Sequence, residues 1–214
     1  MASTPQFIGT YRSSQTQLVA AHAARPRPIW TPGSNGSRIH SVNIATNDSA
    51  GSQTVSLYRA TALTLGSAMG SGQLTGSSTI TRSAGDFTAD GWLANQRIFI
   101  YGSTTLANDE AINLTTVASG TLTLGAANNT TEAFPSTGQL MRASLIATIS
   151  LPASSGANSS TVPLNVLNPN LMPFLIGAPD NFLMLGSADM LLAAVGNSVS
   201  SGKSVDIVVD GGDY

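Results

Sequence analysis

The stretch RIHSVNIATNDSAGSQTVSLY, residues 38–58, decides the fold class. Apolar side chains recur through 39–44, and apolar and polar side chains alternate over 54–58. Such alternation is typical of a β-strand with one buried face. The segment 47–52 between them is polar and rich in turn-forming residues, so the sequence predicts a β-hairpin here.

The same alternating pattern returns along the rest of the chain. It is clearest at 111–115, 121–124 and 203–209, and further strands are predicted at 97–102 and 144–151. No segment shows the sustained 3.6-residue period of an amphipathic helix. The sequence therefore predicts an all-β protein.

The strand-rich segments form three groups separated by polar stretches rich in Gly, Ser and Asn. The first group, 38–64, and the last, 142–214, are each too small for a good core. Together they supply roughly six to eight strands, enough for one discontinuous β-sandwich or jelly-roll domain. The middle group, 79–139, is predicted to be a small β domain inserted into a loop of the first. Three modules in series are the competing arrangement.

Residues 1–37 are predicted to form an extended N-terminal arm. The segment contains four prolines, which prevent a long helix, and its large apolar groups are sparse. An extended segment with isolated aromatic anchors is suited to lying across a neighbouring subunit. We expect the contacts with a neighbouring subunit at Phe7, Tyr11 and Trp30. The alternatives are a disordered tail for the segment and the edge of the core for Trp30.

The composition favours an assembly protein. Only 9% of the 214 residues are charged, whereas Ser, Thr, Asn, Gln and Gly are abundant. Hydroxyls and amides cost less to bury against a neighbour than Lys or Glu does. A weakly charged surface also repels copies of itself poorly. The alternative is a secreted or passenger-type β protein.

The sequence offers little for catalysis, cofactors or metals. It has no cysteine, and a net charge of −2 with a single lysine provides no basic stripe for nucleic acid. His22 and His40 lie in no hydrolase motif, and the spacing of Asp206, Asp210 and Asp213 fits no metal loop. We therefore predict no catalytic residue, no cofactor and no metal ligand. The apolar stretch 171–192 is interrupted by prolines and acids, so no membrane span is predicted either.

Several short motifs resemble virion structural proteins of tailed bacteriophages. They are Gly33–Ile39, Val55–Tyr58 and the terminal Gly211–Tyr214, together with Gly85–Trp92 in the middle group. In such proteins a glycine turn begins a sandwich strand and a Gly-Gly-Asp-aromatic end closes the chain. The resemblance covers about half of the chain. It implies a place in the virion, on the head or on the tail.

Composition and resemblance together lead us to expect a capsid decoration (cement) protein on the outer capsid surface. Its expected partners are copies of itself, as a homo-oligomer such as a trimer, and the major capsid protein. Nucleic acid and membrane are not expected as partners. The alternatives are a tail or baseplate component and a carbohydrate-binding adhesion module.

Overall fold

The computed structural model describes residues 10–62, 72–75, 78–105, 108–125, 130–133, 139–157, 161–168, 182–196 and 199–214. The strands are β1 (Thr10–Leu18), β2 (Arg27–Trp30), β3 (Ser37–Thr46), β4 (Gln53–Ala62), β5 (Gln73–Thr75), β6 (Thr79–Thr81), β7 (Arg97–Tyr101), β8 (Ala111–Ala118), β9 (Thr121–Leu124), β10 (Glu132–Ala133), β11 (Gln139–Leu151), β12 (Leu164–Asn165), β13 (Leu183–Leu185), β14 (Asp189–Val195) and β15 (Val205–Asp213).

These strands are hydrogen-bonded into a five-stranded and a ten-stranded antiparallel set. The described residues contain one other regular element, a three-residue 3-10 turn at Ala20–His22. The prediction of an all-β, sandwich-like fold is therefore confirmed. No helix in the described ranges has the length and apolar character needed to cross a bilayer.

The chain divides into two compact units. The first contains residues 1–59 and 145–214, and the second contains residues 60–144. The segment 79–139, predicted from the sequence to be an inserted domain, falls inside the second unit.

The first unit is a β-sandwich. One layer has the strand order β1-β15-β3-β12, with β13 also paired to β3. The other layer contains the order β11-β4-β14-β2. Alternate side chains of both layers point inward and share one core, because period-two strands bury one face each. Members of this core are Leu18, Ile39, Val42 and Ile207 from the first layer, and Trp30, Val55, Leu57, Leu151 and Leu191 from the second.

The segment 38–58 does not form the predicted hairpin. Strand β3 belongs to one layer and β4 to the other, and the two are not neighbours in either sheet. The connection between them crosses from layer to layer, and Asp48 organises it. This carboxylate accepts hydrogen bonds from the Ala50 amide at 3.0 Å, from Gln53 Nε2 at 3.1 Å and from the Ser200 amide at 2.8 Å. These bonds, led by that from the Ser200 amide, lower the pKa of Asp48.

Much of the predicted N-terminal arm lies in the sandwich. Strand β1 pairs with β15 over nine consecutive residues, and β2 pairs with β14. The hydroxyl of Thr16 donates to the Pro28 carbonyl at 3.3 Å, which ties β1 to β2. Residues 10–30 are therefore part of the two layers, rather than a segment reaching outward, because Leu18, Ile29 and Trp30 are buried in the core. Residues 1–9 lie outside the described part of the chain.

The second unit has its own core. Its strand order is β10-β5-β6-β9-β8-β7-β11, and β8 and β9 form a hairpin. The predicted turn at Asp90–Gly91 is present, with Gly91 at a φ of +81°. Phe87 and Trp92 on either side of that turn are both buried. Close to them, Arg82 Nη1 donates to Asp90 Oδ2 at 2.6 Å.

Glycine is required at position 36, in the turn that precedes β3. Its φ is +101°, and a Cβ atom there would lie 2.6 Å from the Leu185 carbonyl oxygen. We expect Gly36→Ala to lower the free energy of unfolding by about 2–3 kcal/mol through backbone strain. Gly51→Ala is the matched control, because a Cβ atom there meets nothing within 4 Å. Urea denaturation of both variants measures the difference, and equal stabilities would contradict the prediction.

Candidate interaction surface

The outward face of the five-stranded layer carries an uncharged row along β1. Side chains alternate along this strand, as in any strand with one buried face. Those at Arg12, Ser14, Thr16 and Leu18 are partly or fully buried. The exposed row consists of Tyr11, Ser13, Gln15 and Gln17. None of the four is charged, so this strip presents only hydroxyls, amides and one aromatic ring.

The neighbouring strands continue this face with polar side chains that bond to one another. Ser13 stands opposite Asp210, and Asp210 stands opposite Ser41. Ser41 Oγ donates to Asp210 Oδ2 at 2.8 Å, and Asn43 Nδ2 donates to Ser41 Oγ at 3.0 Å. The Asp210 carboxylate is therefore held by a neutral hydroxyl donor of the same sheet, and the Asp206 carboxylate on this face accepts from Gln17 Nε2.

Tyr11 and His40 form a small aromatic platform at one end of the face. Tyr11 is 63% exposed and stands directly opposite Gly212 on β15. The His40 ring, on the next strand, has its centroid 6.5 Å from that of Tyr11. On β15, Gly212 has no side chain beside Tyr11 and is paired with Arg38, whereas His40 lies at the bulge between Asp210 and Gly211 and has no Cα partner on β15.

Strand β1 is also an edge strand. In the described part of the chain its ladder partner is β15 alone, and the register runs from Thr10↔Asp213 to Leu18↔Val205 without a bulge. Natural edge strands are commonly protected from pairing by lysines, prolines or bulges. Thr10–Leu18 contains no lysine and no proline, and its one charged side chain, Arg12, is held against Asp213. Apart from the inward-facing Arg12, this edge therefore carries no lysine, proline or bulge within the described ranges.

The three predicted contact residues differ in their position in the structure. Tyr11 lies on the exposed row described above. Trp30 does not, because its side chain is 1% exposed and forms part of the sandwich core. The Arg12 guanidinium lies 3.8 Å from the centre of its ring, which closes the remaining side. Phe7 lies outside the described residues.

Arg12 and Asp213 form a junction that the sequence did not reveal. Arg12 Nε donates to Asp213 Oδ2 at 3.0 Å, and the Gly33 amide donates to Oδ1 at 3.1 Å. Ser37 Oγ donates to the same carboxylate. One residue further, the Tyr214 amide donates to the Gly36 carbonyl at 3.2 Å. The glycine turn at 33–36 and the Gly-Gly-Asp-Tyr end are thus joined directly.

Asp213 makes the stability of this junction depend on pH. Burial alone would raise the pKa of Asp213, but hydrogen bonds from Arg12, Ser37 and Gly33 bring it below its usual 3.8. Since the pKa in the folded state is the lower one, the carboxylate stabilises the fold above the unfolded-state pKa. That contribution disappears as pH falls through the folded-state pKa.

We therefore expect the melting temperature to decline below about pH 4, and to decline less in Asp213→Asn. The variant is also expected to be less stable at pH 7, because the ion pair with Arg12 is gone. Melting curves between pH 2 and pH 7 test this. Asp210→Asn removes the same formal charge elsewhere, and its melting temperature should fall with pH as steeply as that of the wild type. If the melting temperature of Asp213→Asn falls with pH as steeply as that of the wild type, the prediction is contradicted.

No group of three or more His, Asp or Glu side chains in the described ranges is arranged to hold a metal ion. His22 Nδ1 accepts a hydrogen bond from the Val19 amide at 3.3 Å, within the 3-10 turn. Its pKa is lowered by burial and by the positive charges of Arg27 and Arg25.

Within the exposed row, Tyr11 was predicted from the sequence to be a contact residue. Ser13, Gln15 and Gln17 were not predicted. The available signal was the alternation of exposed amides and hydroxyls with Arg12, Ser14, Thr16 and Leu18. No protein-family model matches this chain, and neither a curated protein nor a solved structure shows significant similarity to it.

Proposed function

We propose that this protein is a non-enzymatic structural component of a tailed-phage virion, acting as a capsid decoration protein. In this proposal it lies on the outer capsid surface and packs against copies of itself and the major capsid protein. The observation that carries the proposal is the uncharged row of Tyr11, Ser13, Gln15 and Gln17 along the edge strand β1. The phage-like motifs quoted above support the virion as the place where it acts.

The free-energy cost of burying this surface supports the proposal. Covering Ser13 and Gln15 by a neighbour removes neutral groups from water, and these can form new hydrogen bonds across the joint. The edge of β1 that has no ladder partner within the described ranges can add main-chain hydrogen bonds by pairing with another strand. Both contributions grow with the area covered, which suits a protein that stabilises a shell through many repeated contacts.

The first test introduces a charge on this face. We expect the wild-type protein to self-associate, and Gln15→Lys to weaken self-association on the order of tenfold, because the ammonium must be desolvated. Analytical ultracentrifugation over a concentration series measures the change. Ser150→Lys is the control, since Ser150 is exposed on β11 in the other layer of the sandwich. A wild-type protein that remains monomeric at every concentration would contradict the role of this face.

The second test concerns the particle. Quantitative mass spectrometry of purified virions, with cryo-electron microscopy, measures the copy number and position of the chain. Hundreds of copies on the head support decoration, whereas a handful at the tail support a tail or baseplate component. Absence of the chain from virions would refute both.

The Tyr11–His40 platform supports a second candidate function, carbohydrate binding. An exposed aromatic ring can stack on the apolar face of a sugar, and Asp210, two residues before Gly212 on β15, can accept hydrogen bonds from its hydroxyls. A glycan array is expected to give hits that are lost in Tyr11→Ala. An array without hits would remove this candidate and leave the structural proposal unaffected.

A further inference from the structure

A cavity of about 420 Å³ opens at the end of the sheet opposite the Tyr11–His40 platform. One wall is formed by Gln17 and the segment 19–21, which ends β1 and begins the 3-10 turn. The other wall is formed by Asn47 and the loop 201–204. All of these residues belong to the first unit. Gln17 is at once the last exposed residue of the β1 row and part of the cavity wall, so the cavity is continuous with the proposed contact face.

The cavity contains the single lysine of the protein, Lys203. Its side chain is exposed, and the ammonium group makes no ion pair or hydrogen bond with any residue in the described ranges. Arg12, by contrast, forms an ion pair with Asp213. The ammonium of Lys203 is therefore available to an outside group.

The acids near Lys203 are already bonded to neutral donors. Asp48 accepts from the Ser200 amide and hydroxyl, as well as from Gln53. Asp206 accepts from Gln17 Nε2 at 3.0 Å and from the Ser204 hydroxyl at 3.1 Å. Lys203 acts on Asp48 only through its electric field. Both carboxylates are thus satisfied without the ammonium.

The chemistry of the walls fits a carboxylate. Lys203 offers a cation, and the Asn47 amide and the Ser201 hydroxyl are further hydrogen-bonding groups in the same cavity. Val19, Ala20 and Ala21 supply small apolar surface next to them, which suits the methylene stem of an acidic side chain. A carboxylate with a short aliphatic stem complements both parts.

We propose that this cavity receives an Asp or Glu side chain from a second copy of this chain, which covers the β1 face. The inference rests on the proposed function, because the acid comes from the packing partner. It assigns Lys203 as the ion-pairing residue of that joint. In a chain with so few charges, one such pair also fixes the register in which two weakly charged surfaces meet.

The direct test uses lysine labelled with ¹³C and ¹⁵N, which gives one side-chain signal because the chain has one lysine. The probe is glutarate at constant ionic strength, with chloride and neutral glutaramide as comparisons. We expect a saturable shift of the Lys203 signal with glutarate alone. In Ala20→Phe, whose larger side chain fills the mouth of the cavity, the shift should no longer saturate. A shift that is linear in glutarate, or equal in chloride, overturns the proposal.

The second test separates this inference from the proposed function. Lys203→Met is expected to weaken self-association about two- to fivefold, and Lys203→Arg to retain it. If Lys203→Met associates like the wild type, the Lys203 contact is refuted while the β1 face stands. If the wild-type protein does not associate and virions lack it, the proposed function fails, whatever glutarate does.

Discussion

Replacing Asp90 by Ala is expected to lower the free energy of unfolding of the second unit by about 3–5 kcal/mol. Arg82 and Asp90 form an ion pair at 2.6 Å in which the two side chains are 0% and 3% exposed. The guanidinium also lies 4.3 Å from the ring centre of Phe87. Removing the carboxylate takes away the bonded counter-charge of a buried cation and leaves only the more distant field of Asp86, and that is far more costly than losing an exposed pair.

The double variant Arg82→Met/Asp90→Leu is the control for this prediction. It removes both charges and keeps apolar side chains in their place, so we expect it to recover most of the lost stability. Hydrogen exchange of the β6, β8 and β9 amides, combined with urea denaturation, measures the stability of the second unit. A loss below about 1 kcal/mol in Asp90→Ala would show that the pair contributes no more than a surface ion pair does.

Replacing Trp30 by Ala is expected to cost about 3–5 kcal/mol of stability in the first unit. The side chain is buried, stands opposite Leu191 in the adjacent strand, and is covered by the Arg12 guanidinium. Its removal leaves a large cavity in the core of the sandwich. Trp30→Phe, which keeps an aromatic ring, is expected to cost clearly less.

This prediction also separates the two interpretations of Trp30 that the sequence left open. A residue whose only role is to contact a partner can be truncated without loss of stability in the free protein. Tyr11→Ala is the matched case, and we expect its free energy of unfolding to change by no more than about 0.5 kcal/mol. Chemical denaturation of the two variants side by side decides the matter, and equal stabilities would contradict the core position of Trp30.

The sequence predicted the strands better than their partners. Alternation at 54–58 and 203–209 identifies which side chains face inward, because period two is a local property. It does not identify the strand that lies alongside. Both a hairpin and a crossing between layers bury the same side chains of β3 and β4. The choice depends on Asp48 and on its bonds to Ser200, which is 152 residues away.

The interaction surface was harder to predict, because β1 has little apolar content. An edge strand of a sandwich can fill its inward positions with Ser14 and Thr16, since they lie at the rim of the core. The segment therefore resembled an arm, and only Tyr11 was identified as a contact. Arg12 and Asp213 were missed because 201 residues separate them, and no local pattern links positions so far apart.

The pairing of β1 with β15 constrains the order in which the protein can fold during synthesis. Residues 10–18 leave the ribosome early, yet their only ladder partner in the described chain is made about 190 residues later. The uninterrupted segment 60–144 can complete its own core in the meantime. The sandwich must wait, with β1 unpaired, until residues 205–213 emerge. A nascent chain with a polar strand in that position exposes less aggregation-prone apolar surface during the delay than a chain with an apolar strand there would.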